Sequence, residues 1–280
     1  MELPPFLMPK LRLIAAFAAS LALLLGQHCS SPDSADKHST ERFRFIFCND
    51  LHIGEGGRVA DSVAMAHVIG EWRTKVPSWD FVVLAGDLTE NGDLAHMQWL
   101  KTALDSLHKP YYTVIGNHDI TNDTDENGKK NYLSVFGDNR LNYLIMHKNV
   151  GLVFLDLSNG AKTTVTVKVS TKLWLKKILA NFPSKMPIIV FSHFPLNPET
   201  PRFSVMNSEE LFRYLDKRNV IAYLSGHYHG VWFGFRNKIP FYTNVRLLPF
   251  ADTSHVYSES GYYLVDVFGS SVGVTPKRTR

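Results

Sequence analysis

From Arg42 onward, short apolar runs alternate with stretches whose apolar residues recur every three or four positions. Phe43, Phe45 and Phe47 are interleaved with Arg42, Arg44 and Ile46, which predicts a first strand ending at Cys48. Asp80–Ala85, Tyr111–Ile115, Leu152–Leu157, Pro187–Phe191 and Val220–Leu224 are short apolar runs of the kind that strands buried on both faces require. Between them, Leu94, Met97, Leu100, Leu104 and Leu107 keep helical spacing, as do Trp174, Leu175, Ile178, Leu179 and Phe182. Asn207 with Glu210 predicts a helix start box ahead of Leu211, Phe212 and Leu215. From Val231 to Val274, short strands are broken by Gly and Pro without a helical period. Alternating strands and helices followed by a β-rich end predict a layered α/β domain whose sheets are covered by helices. Trp72, Trp99 and Trp174 fall in helical patterns and are expected in or near the core, whereas Trp232 and Phe233 suit either a core or a pocket wall.

The N-terminal pattern is different. Lys10 and Arg12 precede an apolar run from Leu13 to Leu25 that only Ser20 interrupts. About 13 residues make roughly 20 Å of helix, short of a bilayer core of about 30 Å. A basic start, a short apolar segment and then small and polar residues read as a secretory leader over residues 1–29, with Met8 as an alternative start. Cys29-Ser30-Ser31 resembles the processing site of bacterial lipoproteins, although His28 stands where that pattern has a small residue. Membrane attachment through a lipidated Cys29, plain secretion and an uncleaved anchor are the alternatives. Each expects a secreted, periplasmic or cell-envelope protein. Residues 30–41 are polar and read as a tether, leaving 42–280 as one domain without internal repeat.

Composition narrows the class. With 45% hydrophobic and 20% charged residues, the 280-residue chain has ordinary globular usage, which excludes long disorder and fibrous folds. The formal charge is only +4, with no dense Lys/Arg stretch before the tail at Lys277, Arg278 and Arg280, so a nucleic-acid partner is not expected. Two cysteines, Cys29 and Cys48, build neither a disulfide scaffold nor a thiolate zinc site. Histidine stands out, at 12.

The histidines gather where strands end. Apolar runs lead into Asn49-Asp50-Leu51-His52, Gly86-Asp87-Leu88-Thr89-Glu90-Asn91-Gly92, Gly116-Asn117-His118-Asp119, Ser192-His193-Phe194-Pro195 and Gly226-His227-Tyr228-His229-Gly230. Carboxyl ends of adjacent strands open onto one crevice, so these segments are expected to converge. Asp50, His52, Asp87, Asn117, His193, His227 and His229 offer carboxylate, imidazole and amide-oxygen donors and no thiolate, a mix suited to Mn, Fe or Zn. In extended chain, the Asp50/His52 and His227/His229 spacings aim both side chains of each pair at one face. Seven donors match two metals sharing a carboxylate better than one tetrahedral ion. His67, His96, His108, His147 and His255 are read as ordinary surface or structural residues, and Cys48 as a buried strand residue. Asp123–Gly128 opens like a calcium loop but has Ser134 where the closing Glu belongs, so it is read as a polar loop.

In this order, the five segments resemble the calcineurin-like metallophosphoesterase superfamily, whose pattern is Asp-x-His, Gly-Asp, Gly-Asn-His-Asp/Glu, a lone His and Gly-His-x-His. The likeness runs from Asp50 to His229. It implies a four-layer α/β sandwich with two central mixed β-sheets. It also implies that Asp50, His52, Asp87 and His229 hold one metal, with Asp87 bridging to a second held by Asn117, His193 and His227. His118 then protonates the leaving group or steadies the transition state, oriented by Glu90 or Asp119; Asp119 suits a simple turn former equally well. Two cations about 3.5–4 Å apart would neutralise phosphate oxygens and acidify a shared water, whose hydroxide attacks phosphorus in line. The expected activity is hydrolysis of a small phosphoester, with a diester slightly preferred. The alternatives are a monoesterase of the same superfamily, a metallohydrolase acting on an amide or ester, and a non-catalytic surface protein that binds metal or phosphate.

Departures from the pattern narrow the branch. Purple acid phosphatases have Tyr three residues after the Gly-Asp carboxylate, where this chain has Glu90. Ser/Thr protein phosphatases have Asp-Arg-Gly where this chain has Glu90-Asn91-Gly92, which removes an arginine phosphate clamp. Gly86–Gly92 looks more like the cyclic-nucleotide and glycerophosphodiester branch. Without a tyrosinate ligand, the iron-loaded chain is expected to show no purple charge-transfer band; a strong visible band that disappears on Tyr→Phe substitution would contradict this reading.

Overall fold

Strand β1 (Arg42–Cys48) shows how one sequence period builds the whole architecture. Phe43, Phe45 and Phe47 point to one face and Ile46 and Cys48 to the other, and both faces are buried. A computed structural model describes residues 41–121, 128–249 and 259–279. In it, β1 lies in a five-stranded sheet of order β11-β10-β1-β2-β3, formed with β2 (Phe81–Ala85), β3 (Tyr111–Val114), β10 (Gly261–Phe268) and β11 (Ser271–Arg278). β1, β2 and β3 are parallel, while β10 and β11 add antiparallel. The second sheet has order β4-β5-β6-β7-β9-β8, from β4 (Tyr143–His147), β5 (Val150–Leu155), β6 (Pro187–Ser192), β7 (Asn219–Ser225), β8 (Trp232–Arg236) and β9 (Ile239–Thr243). Its strands β5, β6, β7 and β9 are parallel, with β4 and β8 antiparallel at the two edges.

The sheets face each other across an aromatic seam. Phe45 stacks on Phe81 at 5.0 Å and meets Phe191 edge-on at 5.8 Å; Phe191 stacks on Phe154 at 4.8 Å, and Phe154 on Tyr143 at 4.3 Å. Such pairs add to the burial gain because ring edges and faces carry opposite partial charge. The outer face of the first sheet packs under α1 (Arg58–Thr74), α2 (Leu94–Asp105) and α3 (Lys130–Phe136), through Trp72, Met97, Leu100, Leu104 and Tyr132. The outer face of the second packs under α4 (Val169–Ala180) and α5 (Glu209–Leu215), through Leu175, Leu179, Leu211, Phe212 and Leu215. The result is the expected four-layer α/β sandwich around two mixed sheets.

Several local expectations change. Asn207 does not cap α5. Its Oδ1 accepts from Val167 N at 2.7 Å, its Nδ2 donates to Glu210 Oε1 at 3.0 Å, and the cap position falls to Ser208, which makes no side-chain capping bond. The pull comes from the neighbouring chain, where Val165 bridges Val205. Helix α3 and strand β4 go unpredicted because each has a single buried residue, Tyr132 and Tyr143, too few to make a period. Trp72 is buried and Trp99 and Trp174 partly so, as expected. Trp232 packs with the outer core of the second sheet. Phe233 does not enter the core: it is 52% exposed beside Phe235 at 56%, on an edge strand. Cys48 is buried and free, and burial pushes its thiol well above the usual range, so it is a packing residue.

The expected leader over 1–29 with Cys29, residues 30–40 of the tether, Asp123–Asn127 and His255 lie outside the described residues. No described helix is long and apolar enough to cross a membrane. Phe191 joins the seam from the centre of the second sheet, so Phe191→Ala is expected to destabilise the chain by about 3–5 kcal/mol, read from denaturant unfolding.

Candidate metal centre

The site is made where parallel strands stop. Asp50 and His52 follow β1, Asp87 follows β2, Asn117 and His118 follow β3, His193 follows β6, and His227 and His229 follow β7. Asp50, His52, Asp87, His227 and His229 all have left-handed backbone, with φ of 53°, 50°, 49°, 68° and 57°. This corrects the expectation that each Asp/His and His/His pair converges through extended chain. The side chains converge because the backbone turns at each of them, a conformation costing about 1 kcal/mol or more per residue outside glycine. Cross-bonds hold the turns: Asp50 N donates to Gly86 O at 3.0 Å, His52 N to Asp87 O at 3.0 Å, and Gly226 N to His193 O at 2.9 Å. Two motif glycines have a steric reason. A β-carbon on Gly86 would collide with the His193 ring, and one on Gly116 with Asp87 Oδ1.

Two groups of ligand-type atoms result. Asp50, His52, Asp87 and His229 each offer an atom within 4.8 Å of the others, and so do Asp87, His193 and His227. Asp87 belongs to both. His229 Nε2 lies 3.3 Å from Asp50 Oδ1, His52 Nε2 3.3 Å from His229 Nε2, and His193 Nε2 3.2 Å from Asp87 Oδ2. The remaining expected ligand, Asn117, is buried near Asp87, to which the adjacent His118 N donates at 2.9 Å. His67, His96, His108 and His147 lie outside both groups.

The residues fit divalent metal. Asn117 Oδ1 and His193 Nε2 are buried and have no hydrogen-bond partner. His193 Nδ1 donates to Ala85 O at 3.0 Å and His52 Nδ1 to Glu90 Oε2 at 2.6 Å. Each bond leaves an Nε2 lone pair facing inward, as histidines do when their outer nitrogen is held and their inner one coordinates. Lone pairs that face one another or a carboxylate repel unless a cation or proton lies between them. Burial disfavours charge on Asp50, but His229 and His193 hold it down to about 2. Asp87 is likewise held well below the usual carboxylate range, against burial, by His193 and His52. His193 rises to about 9: burial lowers it, and Asp87 and Asp50 more than reverse this. Burial together with the neighbouring His193 lowers His227 to about 4.

His118 stands beside the two groups, half-buried at the rim of the crevice. Its Nδ1 donates to Glu90 O at 2.9 Å and lies 3.5 Å from Glu90 Oε1, which leaves Nε2 toward the crevice. Glu90 raises His118 to about 10, over the opposing effect of burial. His52, Glu90 and His118 also lie within 4.8 Å of one another. At 2.6 Å, however, the His52–Glu90 contact is a hydrogen bond, so we read this trio as a bridge. Of the two expected orienting residues, Glu90 is in place. Asp119 is not against His118: its buried carboxylate accepts from Thr89 N at 2.9 Å, Thr89 Oγ1 at 3.3 Å and Gly116 N at 2.9 Å. It is more than a turn former, because it fastens the loop after β2 to the loop after β3. Nothing in the one-dimensional pattern separated those roles.

A surface cavity of about 650 Å³ lies at the other end of the sheets, by Arg42, Arg44 and Lys148. Its cations are engaged: Arg44 pairs with Asp266 at 2.8 Å and Lys148 with Asp80 at 2.9 Å, and no metal-type cluster is there.

The sequence model for calcineurin-like phosphoesterases matches residues 43–231. The chain belongs to that family. It is a metallophosphoesterase, a hydrolase acting on phosphate ester bonds, and the family's use of divalent metals accords with the side-chain groups above. A protein of Arcobacter nitrofigilis named "Probable glycerophosphodiester phosphodiesterase" is 28% identical over 68% of this chain and 73% of its own length. One of Ruthia magnifica named "Probable cyclic nucleotide phosphodiesterase" is 29% identical over 54% of this chain and 62% of its own length. Among solved structures, a purple acid phosphatase of yellow lupin superposes with a TM-score of 0.60 at 15% identity, over 86% of this chain and 52% of that one, which shows a shared fold.

Asp119 satisfies buried donors on two loops of this phosphoesterase at once. Asp119→Ala is expected to destabilise the metal-free chain by about 2–4 kcal/mol, measured by urea unfolding, because the Thr89 and Gly116 amides lose their acceptor.

Proposed function

We propose that the chain is a dinuclear metal-dependent phosphodiesterase, acting on small phosphodiesters in preference to monoesters. The observation that carries the reading is that two groups of ligand-type side chains share Asp87 while His118 stands beside them. In this reading, Asp50, His52, Asp87 and His229 hold one cation, and Asp87, Asn117, His193 and His227 hold the other, with Mn, Fe or Zn as candidates. When bound, such cations neutralise phosphate oxygens and lower the pKa of water.

The chain's own residues do the rest. The Glu90 carbonyl accepts a hydrogen bond from His118 Nδ1, with carboxylate Oε1 3.5 Å away, and so fixes the ring, leaving Nε2 to deliver a proton to the departing oxygen. Through its other oxygen, Glu90 orients His52. Asp119 keeps the His118 loop in register with the Asp87 loop. The diester preference rests on charge. Among the described residues, the cationic partners of Asp50, Asp87 and Glu90 are histidines, with no guanidinium or ammonium in ion-pair contact. A diester carries one negative charge at neutral pH where a monoester carries up to two, so it has less need of such a clamp. The names of the Arcobacter and Ruthia relatives support the same substrate class. The reading also has the domain exported by the N-terminal leader and carried on the 30–41 tether, either lipid-anchored at Cys29 or plainly secreted.

The test is turnover of aryl phosphate mono- and diesters by the full chain with added Mn²⁺. The diester is expected to react faster. His118→Ala is expected to lower kcat by about 100- to 10,000-fold with bound metal unchanged. Equal loss of metal would make His118 a ligand instead. Metal-loaded protein that turns over neither ester would leave a metal- or phosphate-binding protein.

A further inference from the structure

Asn49 is not among the seven expected ligands, and the proposed chemistry gives it no task. Yet it is fully buried between the end of β1 and the segment after β9. Its Nδ2 donates to Asp50 Oδ2 and faces Asn244 O and Val245 O, each at 3.3 Å. An amide oxygen in that place would repel all three acceptors, so the surroundings settle which way the amide faces. The backbone reinforces the link, since Leu247 N donates to Asn49 O at 2.9 Å. Asn49 therefore stitches the end of β1, in the first sheet, to residues 244–247, which follow β9 in the second. From the β7 side, His227 N donates to the same Asp50 oxygen at 3.0 Å. The same amide also reaches Asp50 Oδ1, at 3.2 Å, so it is Asn49 that holds Oδ2 alone, and Oδ1 is the oxygen that faces His229 Nε2 at 3.3 Å.

We propose that Asn49 is a positioning residue of the metal centre: it anchors Asp50 Oδ2 to the 244–247 segment and thereby presents Oδ1 to the cation. The inference rests on the reading of Asp50 as a ligand. Groups that orient a ligand in this way typically change metal affinity by about 10- to 100-fold when removed.

The experiment loads the metal-free full chain by equilibrium dialysis against buffered free Mn²⁺ and measures bound metal by mass spectrometry. Asn49→Leu keeps the branched heavy-atom outline and removes the donor. Tyr263→Phe is the structural control, because it removes the bond from Tyr263 Oη to Thr243 O, at 2.6 Å, next to the same segment without touching Asp50. Asn49→Leu is expected to need about 10- to 100-fold more free Mn²⁺ for half-loading, while Tyr263→Phe loads like the unaltered chain. Loading of Asn49→Leu within about twofold of the unaltered chain overturns the proposal. So does an equal loss in Tyr263→Phe, which would trace the effect to general loosening. If Asn49→Leu does not fold, Asn49→Ala is read by the same criteria. Failure of the unaltered chain to take up Mn²⁺ removes the ligand reading itself, a different result from uptake that is indifferent to Asn49.

Discussion

Asp50 and Asp87 are 0% and 1% exposed, and both are ionised. Removing an uncompensated carboxylate from water costs several kcal/mol, so the surrounding fold has to supply positive charge or donors at close range. His229 and His193 do so for Asp50, and His193 and His52 for Asp87, together with backbone amides, His227 N on Asp50 and His118 N on Asp87. This requirement accounts for much else in the molecule. It demands neighbouring parallel strands that deliver both acids to one end. It also demands a glycine at residue 116, where any side chain would displace Asp87.

The sandwich meets the demand by making everything beneath the crevice rigid. The strands are buried on both faces, by the seam between the sheets and by helices outside, so their ends have little freedom to separate. The left-handed turns at Asp50, His52, Asp87, His227 and His229 are unfavourable locally and persist because cross-strand hydrogen bonds and close packing determine them. Histidines of such a site are oriented from behind: His193 by the carbonyl that ends β2, and His52 and His118 by Glu90. That one residue braces a candidate ligand through its carboxylate and the candidate acid through its carbonyl, so its geometry ties together two tasks that chemistry keeps separate.

The strands were legible because residues buried on both faces leave continuous apolar runs, and the five polar segments stood out because each interrupts such a run at its end. Helix α2 was legible from the spacing of Met97, Leu100 and Leu104, all on its buried face. The mode of convergence was not. The two-residue spacing of Asp50 and His52 suggests a pleat, and only the φ values reveal the turns. Asp119 and Glu90 were indistinguishable as supports for His118 because their separation is set by how the β2 and β3 loops dock. The role of Asn49 carried no signal, since two of its three acceptors come from residues 195 or more positions later in the chain. Asn207 misled because its best acceptor role lay 40 positions away, beyond the reach of a local capping rule.

Strand β8 carries a different kind of consequence. It ends the six-stranded sheet with Phe233 and Phe235 each more than half exposed, and it has neither lysine nor proline within its five residues. Outer strands in most soluble proteins carry such residues to discourage stacking onto a neighbour. Here the defence is brevity, together with the Arg236–Glu209 pair at one end. In crowded solution, that short apolar edge is therefore the place where a second copy would stack first.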